Sequence, residues 1–167
     1  RNLHLTAKEI VKNYNGKIPD SFEDLRHLPG IGKYTAGAIV SIAFNKPAPA
    51  IDANVKRVLT RLFCLSPSSS KDKTFWELAL NIMVTASPSE FNQAMMEIGA
   101  LICVAKNPRC PNCPVRSYCK AYSKGIQARY PAIGKPKKVE EIEVVLGIIF
   151  NDNMVYLQKR PPQGLFA

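Results

Sequence analysis

A turn rich in glycine and proline separates two helical patterns near the start of the chain. Residues 27–40 read HLPGIGKYTAGAIV, so Gly30 and Gly32 fall within one turn and an apolar helical pattern follows from Lys33. Both glycines can adopt φ > 0 and let another backbone approach closely. The N–H groups of the turn and of the following helix then form an anion site suited to a phosphate. A plain tight turn between two helices fits these few residues equally well.

The spacing of apolar residues predicts a mainly α-helical chain up to about residue 106. Asp20 or Ser21 is suited to cap the second helix, and Asp52 is suited to cap the fourth. Residues 141–160 are instead β-branched and aromatic, are interrupted by NDN, and predict a β-hairpin. The predicted helical segments are 1–14, 21–28, 33–44, 51–63, 74–86 and 91–106. In the first of them the predicted apolar side consists of Leu3, Ala7, Ile10, Val11 and Tyr14.

The charge balance favours a polyanionic partner. The 167 residues include 23 Lys and Arg against 13 Asp and Glu, a net charge of +10. Bound phosphates release condensed counterions, so this excess favours nucleic acid, although a solvated basic surface gives the same balance. The basic residues are spread along the chain, which disfavours an amphipathic membrane-binding face. No apolar run approaches the roughly 20 residues that span a bilayer, and no signal peptide is visible, so an intracellular protein is expected.

Four cysteines lie close together with the spacing C-x6-C-x2-C-x5-C. Thiolates at this spacing can wrap a small metal centre, because the C-x2-C pair folds back and prolines stiffen the loop. Disulfides are the competing interpretation, but nothing else in the sequence points to secretion. Zinc and an iron–sulfur cluster fit about equally, since zinc sites more often use two C-x2-C pairs. Cys64 lies apart and is expected to be a buried apolar residue. The clustered cysteines are Cys103, Cys110, Cys113 and Cys119.

Four stretches of the sequence together resemble one family. They are LPGIGKYTAGAI, IDANVKRVL, FNQAMMEIGALIC and the four-cysteine loop, in this order and at these distances. The chain resembles the helix-hairpin-helix DNA glycosylases and, among them, the A/G-specific adenine DNA glycosylases. The resemblance implies a mainly α helix-hairpin-helix domain over 1–122, with an iron–sulfur loop over 103–119. A linker over 123–140 and the start of a Nudix-like, 8-oxoguanine-recognising domain over 141–167 would follow.

The resemblance also implies cofactors and partners. A [4Fe–4S] cluster would be held by Cys103, Cys110, Cys113 and Cys119, which favours it over zinc. Backbone carbonyls around Arg26, Leu28 and Ile31 could hold a monovalent cation. The implied partner is double-stranded DNA with an 8-oxoguanine·adenine or G·A mispair. A monomer in the cytoplasm, associated with the nucleoid in a bacterium and with no membrane, is expected. The residues implied at the DNA backbone are Leu28, Pro29, Gly30, Ile31, Gly32 and Lys33.

Three catalytic positions follow from the resemblance. Asp52 matches the carboxylate that stabilises or traps the oxocarbenium ion formed when a flipped adenine leaves, and Asn54 matches its polar partner. The family usually has glycine where Ala53 stands. At the position of Tyr34 the bifunctional relatives carry a lysine that forms a Schiff base, so Tyr34 implies a monofunctional enzyme. Lys33, one position earlier, is expected to point away from the pocket. Taken without the resemblance, these residues fit a helix cap, a helix-surface amide and a packing aromatic.

One element of the family pattern has no match in this chain. The family's general acid is a Glu on a helix that precedes the stretch matching Arg1, and neither Glu9 nor Glu23 aligns with it. A general acid contributes about 10²–10⁴-fold, so this chain by itself is expected to release little or no adenine. A noncatalytic DNA-binding module and a pyrimidine-damage glycosylase–lyase of the same fold are the alternatives. Tyr34 and the closing KRPPQGLF disfavour the lyase.

Overall fold

Helices joined by short turns make up the first of two units, Arg1–Gly134, while the second is Lys135–Ala167. The computed structural model describes residues 1–84, 87–132, 143, 145 and 147–158. Each predicted helical segment overlaps one observed helix, and the mainly α fold is confirmed. Two of these helices continue into π-helical turns, Ile39–Ala43 after the third and Ile98–Ile102 after the sixth. The helices are α1 (Asn2–Asn13), α2 (Phe22–His27), α3 (Lys33–Ala38), α4 (Ala53–Phe63), α5 (Asp72–Met83), α6 (Pro88–Glu97) and α7 (Lys120–Ser123).

Side-chain caps fix where α2 and α4 begin. The Ser21 hydroxyl accepts the Asp24 N–H at 3.4 Å, so Ser21 rather than Asp20 caps α2. Asp20 instead pairs with Lys46 on the surface, which holds the pKa of that carboxyl below its usual value. Asp52 caps α4, as the sequence predicts. Helix α4 ends at Cys64, whose φ of 54° lies in the left-handed region.

Helix α4 is the centre of the larger of two hydrophobic clusters. Its buried face packs against α5 and α6, and three cysteines of the loop lie against the same cluster. The smaller cluster joins α2 to α3 beneath the glycine turn. Burial of each of their valine, leucine, isoleucine, phenylalanine and methionine side chains contributes about 1.5–3 kcal/mol. The larger cluster comprises Val55, Val58, Leu59, Leu62, Phe75, Ala79, Met95 and Ile98, and the smaller one Leu25, Leu28, Ala36, Val40 and Ala48.

The predicted apolar side of α1 is only partly covered in the structure. Ile10 and Tyr14 pack against the smaller cluster. Leu3 and Val11 remain 84% and 67% exposed, and the buried residue of this helix is Thr6. The predicted helix is confirmed, but three of the five residues on its predicted apolar side, Leu3, Ala7 and Val11, are exposed.

The second unit contains a short antiparallel β-hairpin. Strand β1 (Phe150–Asn151) pairs with β2 (Met154–Val155), with Phe150 opposite Val155. Asp152 has φ 51°, a conformation that a tight hairpin turn requires. The NDN turn is thus confirmed. Much of the stretch assigned to a Nudix-like domain lies outside the described residues. In the described part of the chain, no helix has the length and apolar character needed to cross a bilayer.

Candidate active site and cysteine loop

The glycine turn is a tight β-turn that delivers the chain into α3. The Ile31 N–H donates to the Leu28 carbonyl at 3.1 Å, and Gly30 has φ 80°. Proline at the second position and a positive φ at the third define a type II turn. Gly32 has φ −88°, which any residue adopts, so the prediction that it can use a positive φ is not borne out by its conformation. Of the two glycines in this turn, only Gly30 has backbone angles that favour glycine.

Helix α1 supports this turn through two side chains that the sequence did not identify. The Thr6 hydroxyl donates to the Pro29 carbonyl at 2.6 Å. A Cβ added at Gly30 would lie 2.6 Å from the Cβ of Asn2, so this glycine also permits the close approach of α1. Both contacts join residues more than twenty positions apart in the sequence. Short-range sequence patterns do not predict such contacts.

The start of α3 leaves its first turn without a side-chain cap. Gly32 occupies the capping position and has no side chain that could accept from the first N–H groups. Lys33 and Tyr34 follow directly and are both exposed. Free N–H groups, the positive end of the helix dipole and an adjacent lysine together can bind a phosphate-like anion.

A cavity of about 590 Å³ opens beside the start of α3. Tyr34 and Ile51 line it, together with the edge-to-face pair Phe22 and Trp76, whose ring centroids are 4.9 Å apart. Lys33 also lines this cavity, so the expectation that Lys33 points away is wrong for this cavity. The side chains of Lys33 and Tyr34 both line the cavity because the first turn of α3 lies at its edge.

The hydroxyl of Tyr34 makes a hydrogen bond. Tyr34 is 41% exposed, and its hydroxyl donates to the sulfur of Met96 at 3.4 Å. This contact joins α3 to the far end of α6. Tyr34 therefore lines the cavity with its ring and contacts Met96 through its hydroxyl.

Asp52 is half-buried at the N-terminus of α4, directly after the cavity residue Ile51. Its Oδ1 accepts the Val55 N–H at 2.7 Å, and its Oδ2 accepts from the Asn54 amide at 2.9 Å. Both oxygens are thus oriented by hydrogen bonds within one turn of helix. The structure brings Asp52 and Asn54 together through this hydrogen bond, and neither residue is among those that line the cavity.

Arg57 continues this network toward the cysteine loop. Its Nη2 donates to Asn54 Oδ1 at 2.8 Å and to the Gly99 carbonyl at 2.7 Å. Its Nε donates to the Cys103 carbonyl at 2.7 Å. A Cβ at Gly99 would lie 2.7 Å from the Cβ of Asn54, so α4 closely approaches the π-helical turn that follows α6. Sequence reasoning missed Arg57, since two of its three partners, Gly99 and Cys103, lie more than forty residues away.

The four clustered cysteines line one small cavity, as a shared metal centre requires. Among the described residues, no three cysteine, histidine or acidic side chains are placed to hold a single metal ion. Burial raises the pKa of the Cys110 thiol, and its three cysteine neighbours raise it further. Burial likewise raises the pKa of Cys113. Several thiols around one cavity are the donor set that iron–sulfur clusters use, so the residues present fit such a group.

Arg61 binds the cysteine loop through its guanidinium group. It is buried, with 2% of its surface exposed, and its guanidinium donates to backbone carbonyls on both sides of the loop and to the Cys103 sulfur at 3.3 Å. The charged group is therefore satisfied by carbonyl dipoles. The accepting carbonyls belong to Cys103, Val104, Ala105, Gln127 and Tyr130.

Two protein families match parts of the chain. The helix-hairpin-helix motif matches residues 13–42, and the iron–sulfur binding domain of endonuclease III matches residues 103–119. These segments are the glycine turn with its helices and the cysteine loop. The second match confirms the iron–sulfur cofactor, [4Fe–4S], that the resemblance implies.

Curated relatives match most of the chain. An adenine DNA glycosylase of Buchnera aphidicola subsp. Baizongia pistaciae is 36% identical over 169 residues, which cover 99% of this chain. An adenine DNA glycosylase of Rattus norvegicus is 41% identical over 145 residues, which cover 84% of this chain. The chain spans 48% of the first relative and 28% of the second.

Solved structures share the helical fold. A thermostable thymine-DNA glycosylase has a TM-score of 0.65 and 33% identity, covering 74% of this chain and 58% of that one. A trapped endonuclease III–DNA covalent intermediate has a TM-score of 0.64 and 31% identity, covering 75% of this chain and 59% of that one. The match therefore covers about three quarters of this chain and less than two thirds of each solved structure.

Proposed function

This chain belongs to the helix-hairpin-helix DNA glycosylases, and on that premise we propose that it carries the site of a monofunctional adenine DNA glycosylase of base-excision repair. Its substrate would be adenine opposite 8-oxoguanine or guanine in double-stranded DNA. The observation that carries the proposal is the Asp52 carboxylate, oriented by Asn54 and Val55 directly after a residue of the cavity that Tyr34 lines. The named activity of the curated relatives agrees with it.

The proposed reaction breaks the bond between C1′ of the deoxyribose and N9 of an extruded adenine. The bonding electron pair leaves with the adenine, which takes up a proton, and positive charge develops on the sugar. The Asp52 carboxylate stabilises or traps this cation, and water then adds to C1′ and loses a proton. The acid that protonates adenine is not assigned to any residue of this chain.

Asn54 and Arg57 are proposed to orient the carboxylate. The Asn54 amide donates to Asp52 while its oxygen accepts from Arg57, so the amide cannot rotate without losing both bonds. Fixed hydrogen-bond donors of this kind cost no reorganisation when charge develops. Tyr34 borders the cavity and has no amine with which to form an imine, so no lyase step is proposed.

The glycine turn is proposed to hold the DNA backbone. Its type II geometry, the uncapped start of α3 and the exposed Lys33 together offer N–H groups and positive charge to a phosphate. Thr6 and Asn2 keep the turn in place from the α1 side. The residues proposed for this contact are Leu28, Pro29, Gly30, Ile31, Gly32 and Lys33.

Cys103, Cys110, Cys113 and Cys119 are proposed as the four ligands of the cluster. All four line one cavity, three of them also pack against the larger hydrophobic cluster, and Arg61 donates to the Cys103 sulfur. When bound, the cluster would neutralise the crowded thiolates and tie the two ends of the loop together. A monovalent cation at the turn stays a prediction.

Cys113→Ser is expected to lower the iron content of the purified chain at least several-fold and to weaken its brown colour. Serine replaces a soft thiolate with a poor ligand for iron. Iron and zinc by elemental analysis, with the visible absorption spectrum, measure the effect. Cys64→Ser is the matched control, because Cys64 lies at the end of α4 outside the cavity. Stoichiometric zinc without iron in the unsubstituted chain would contradict the cluster.

The reaction products test the proposed function directly. The gene product that contains this chain is expected to release adenine from an 8-oxoguanine·adenine duplex and to give no borohydride-trapped complex with DNA, because Tyr34 cannot form a Schiff base. Single-turnover product analysis and gel electrophoresis after borohydride measure the two results. A covalent complex at Lys33 would support the glycosylase–lyase alternative. Duplex binding with no base released would support a noncatalytic DNA-binding module.

A further inference from the structure

The segment that leads into Asp52 is buried although it has no regular secondary structure. Ala48 and Ala50 are 2% and 0% exposed, and Pro49 between them is fully buried. Buried backbone N–H and C=O groups need hydrogen-bond partners, and this segment lies in neither a helix nor a strand. Something outside the segment must therefore supply them.

The side chain of Asn92 pairs two of these groups, the Ala50 N–H and the Ala48 carbonyl. The Asn92 Oδ1 accepts the Ala50 N–H at 3.0 Å, and its Nδ2 donates to the Ala48 carbonyl at 2.8 Å. Asn92 lies on α6, is 1% exposed, and reaches across more than forty residues of sequence. Proline at position 49 has no N–H, so these two bonds pair the polar groups on either side of it.

The opposite side of the segment is fixed by packing. A Cβ added at Gly37 on α3 would overlap the Pro49 carbonyl oxygen. The segment is thus held between the α3 backbone and the Asn92 carboxamide, and only Ile51 separates Ala50 from Asp52. A displacement at Ala50 is therefore passed directly to the carboxylate.

We propose that Asn92 is a positioning residue of the site: its carboxamide fixes the segment Ala48–Ile51 and thereby sets where the Asp52 carboxylate stands. The inference rests on the proposed function for its catalytic consequence. The restraint on Ala50 does not depend on the proposed function, because hydrogen exchange of the Ala50 amide measures it without any reaction. Asn92 itself needs no contact with substrate for this role.

Asn92→Leu removes both hydrogen bonds at nearly constant side-chain volume. In the 167-residue chain we expect the Ala50 amide to exchange its hydrogen about 10-fold faster, while the Leu59 amide in the core of α4 is unchanged. In the gene product that contains this chain we expect adenine release about 10–100-fold slower, with little change in duplex affinity. Hydrogen exchange and single-turnover kinetics measure the two effects.

Gln93→Leu is the matched control. Gln93 is the next residue of α6, is exposed, and donates to Ser89 within its own helix. We expect it to leave both Ala50 exchange and adenine release near the unsubstituted values. Comparing Asn92→Leu with Gln93→Leu corrects the measured rates for any general effect of introducing leucine into α6.

Asn92→Asp separates positioning from folding. As a neutral acid the introduced carboxyl copies the amide, accepting from Ala50 and donating to Ala48, whereas its ionised form faces the Ala48 carbonyl with a second acceptor. Burial raises the pKa of such a carboxyl. Relative to Gln93→Asp at each pH, adenine release by Asn92→Asp should therefore recover severalfold as the pH is lowered, while Asn92→Leu does not recover.

The outcomes are distinct. Unchanged Ala50 exchange in Asn92→Leu, or adenine release equal to that of Gln93→Leu, would overturn the proposal. The absence of recovery at low pH in a folded Asn92→Asp variant would overturn it as well. Failure of the proposed function shows separately, as a lack of adenine release from the unsubstituted protein, and the exchange comparison still decides whether Asn92 restrains the segment.

Discussion

Asp52→Asn is expected to reduce adenine release by about 10³-fold or more in the gene product that contains this chain. The substitution keeps the shape of the side chain and removes the negative charge that faces the developing cation. Asparagine is as good a helix cap as aspartate, so the bond to the Val55 N–H and the start of α4 should survive. Single-turnover release from an 8-oxoguanine·adenine duplex measures the rate, and fluorescence anisotropy measures duplex affinity.

Asp20→Asn is the matched control for the loss of one negative charge. Asp20 is exposed and pairs with Lys46 on the surface, and neither residue is among those that line the cavity. An exposed pair of this kind contributes little, so adenine release and stability should both stay close to the unsubstituted values. If Asp52→Asn released adenine as fast as Asp20→Asn, the carboxylate would have no catalytic role. If it instead lost duplex affinity, its role would be in binding.

Local patterns predicted the elements that carry the site. The helices, a cap at Asp20 or Ser21, the Asp52 cap, the NDN turn and a metal-binding loop all depend on residues within a few positions of one another. Capping and apolar spacing act over that range, which is why they can be read from one sequence. The spacing of the cysteines left iron–sulfur and zinc open, because thiolates suit both. The match to the iron–sulfur binding domain decided between them.

Long-range contacts could not be read in this way. Arg57 looks like a solvated helix residue in the sequence, yet it joins Asn54 to the Cys103 carbonyl. Asn92 looks like a helix-surface amide and is fully buried against a segment that precedes it by more than forty residues. The position of Lys33 on the cavity rim likewise depends on how α3 lies against its neighbours. Which polar residue is buried is decided by tertiary packing, and periodicity does not encode it.

Arg61→Leu is expected to lower the free energy of unfolding by about 3 kcal/mol or more, because several buried acceptors lose their donor, and to speed the loss of iron from the loop. Five backbone carbonyls and the Cys103 sulfur accept from this one guanidinium. Leucine fills part of the volume but leaves those acceptors without a donor, and an unpaired buried polar group costs about 1–3 kcal/mol. Natural domains are stable by only about 5–15 kcal/mol, so the change is a large share of the total. Denaturant unfolding and the decay of the visible absorption measure the two effects.

Arg61→Lys and Arg129→Leu show whether charge or geometry is responsible. Lysine keeps the positive charge but has three donors on one nitrogen, and it cannot span carbonyls on both sides of the loop as the planar guanidinium does. We therefore expect Arg61→Lys to retain only part of the stability and to lose iron faster than the unsubstituted chain. Arg129 is exposed, so Arg129→Leu should change neither property measurably. Equal stability of Arg61→Leu and Arg129→Leu would contradict a bridging role for Arg61, since the acceptors that it joins would then have found other partners.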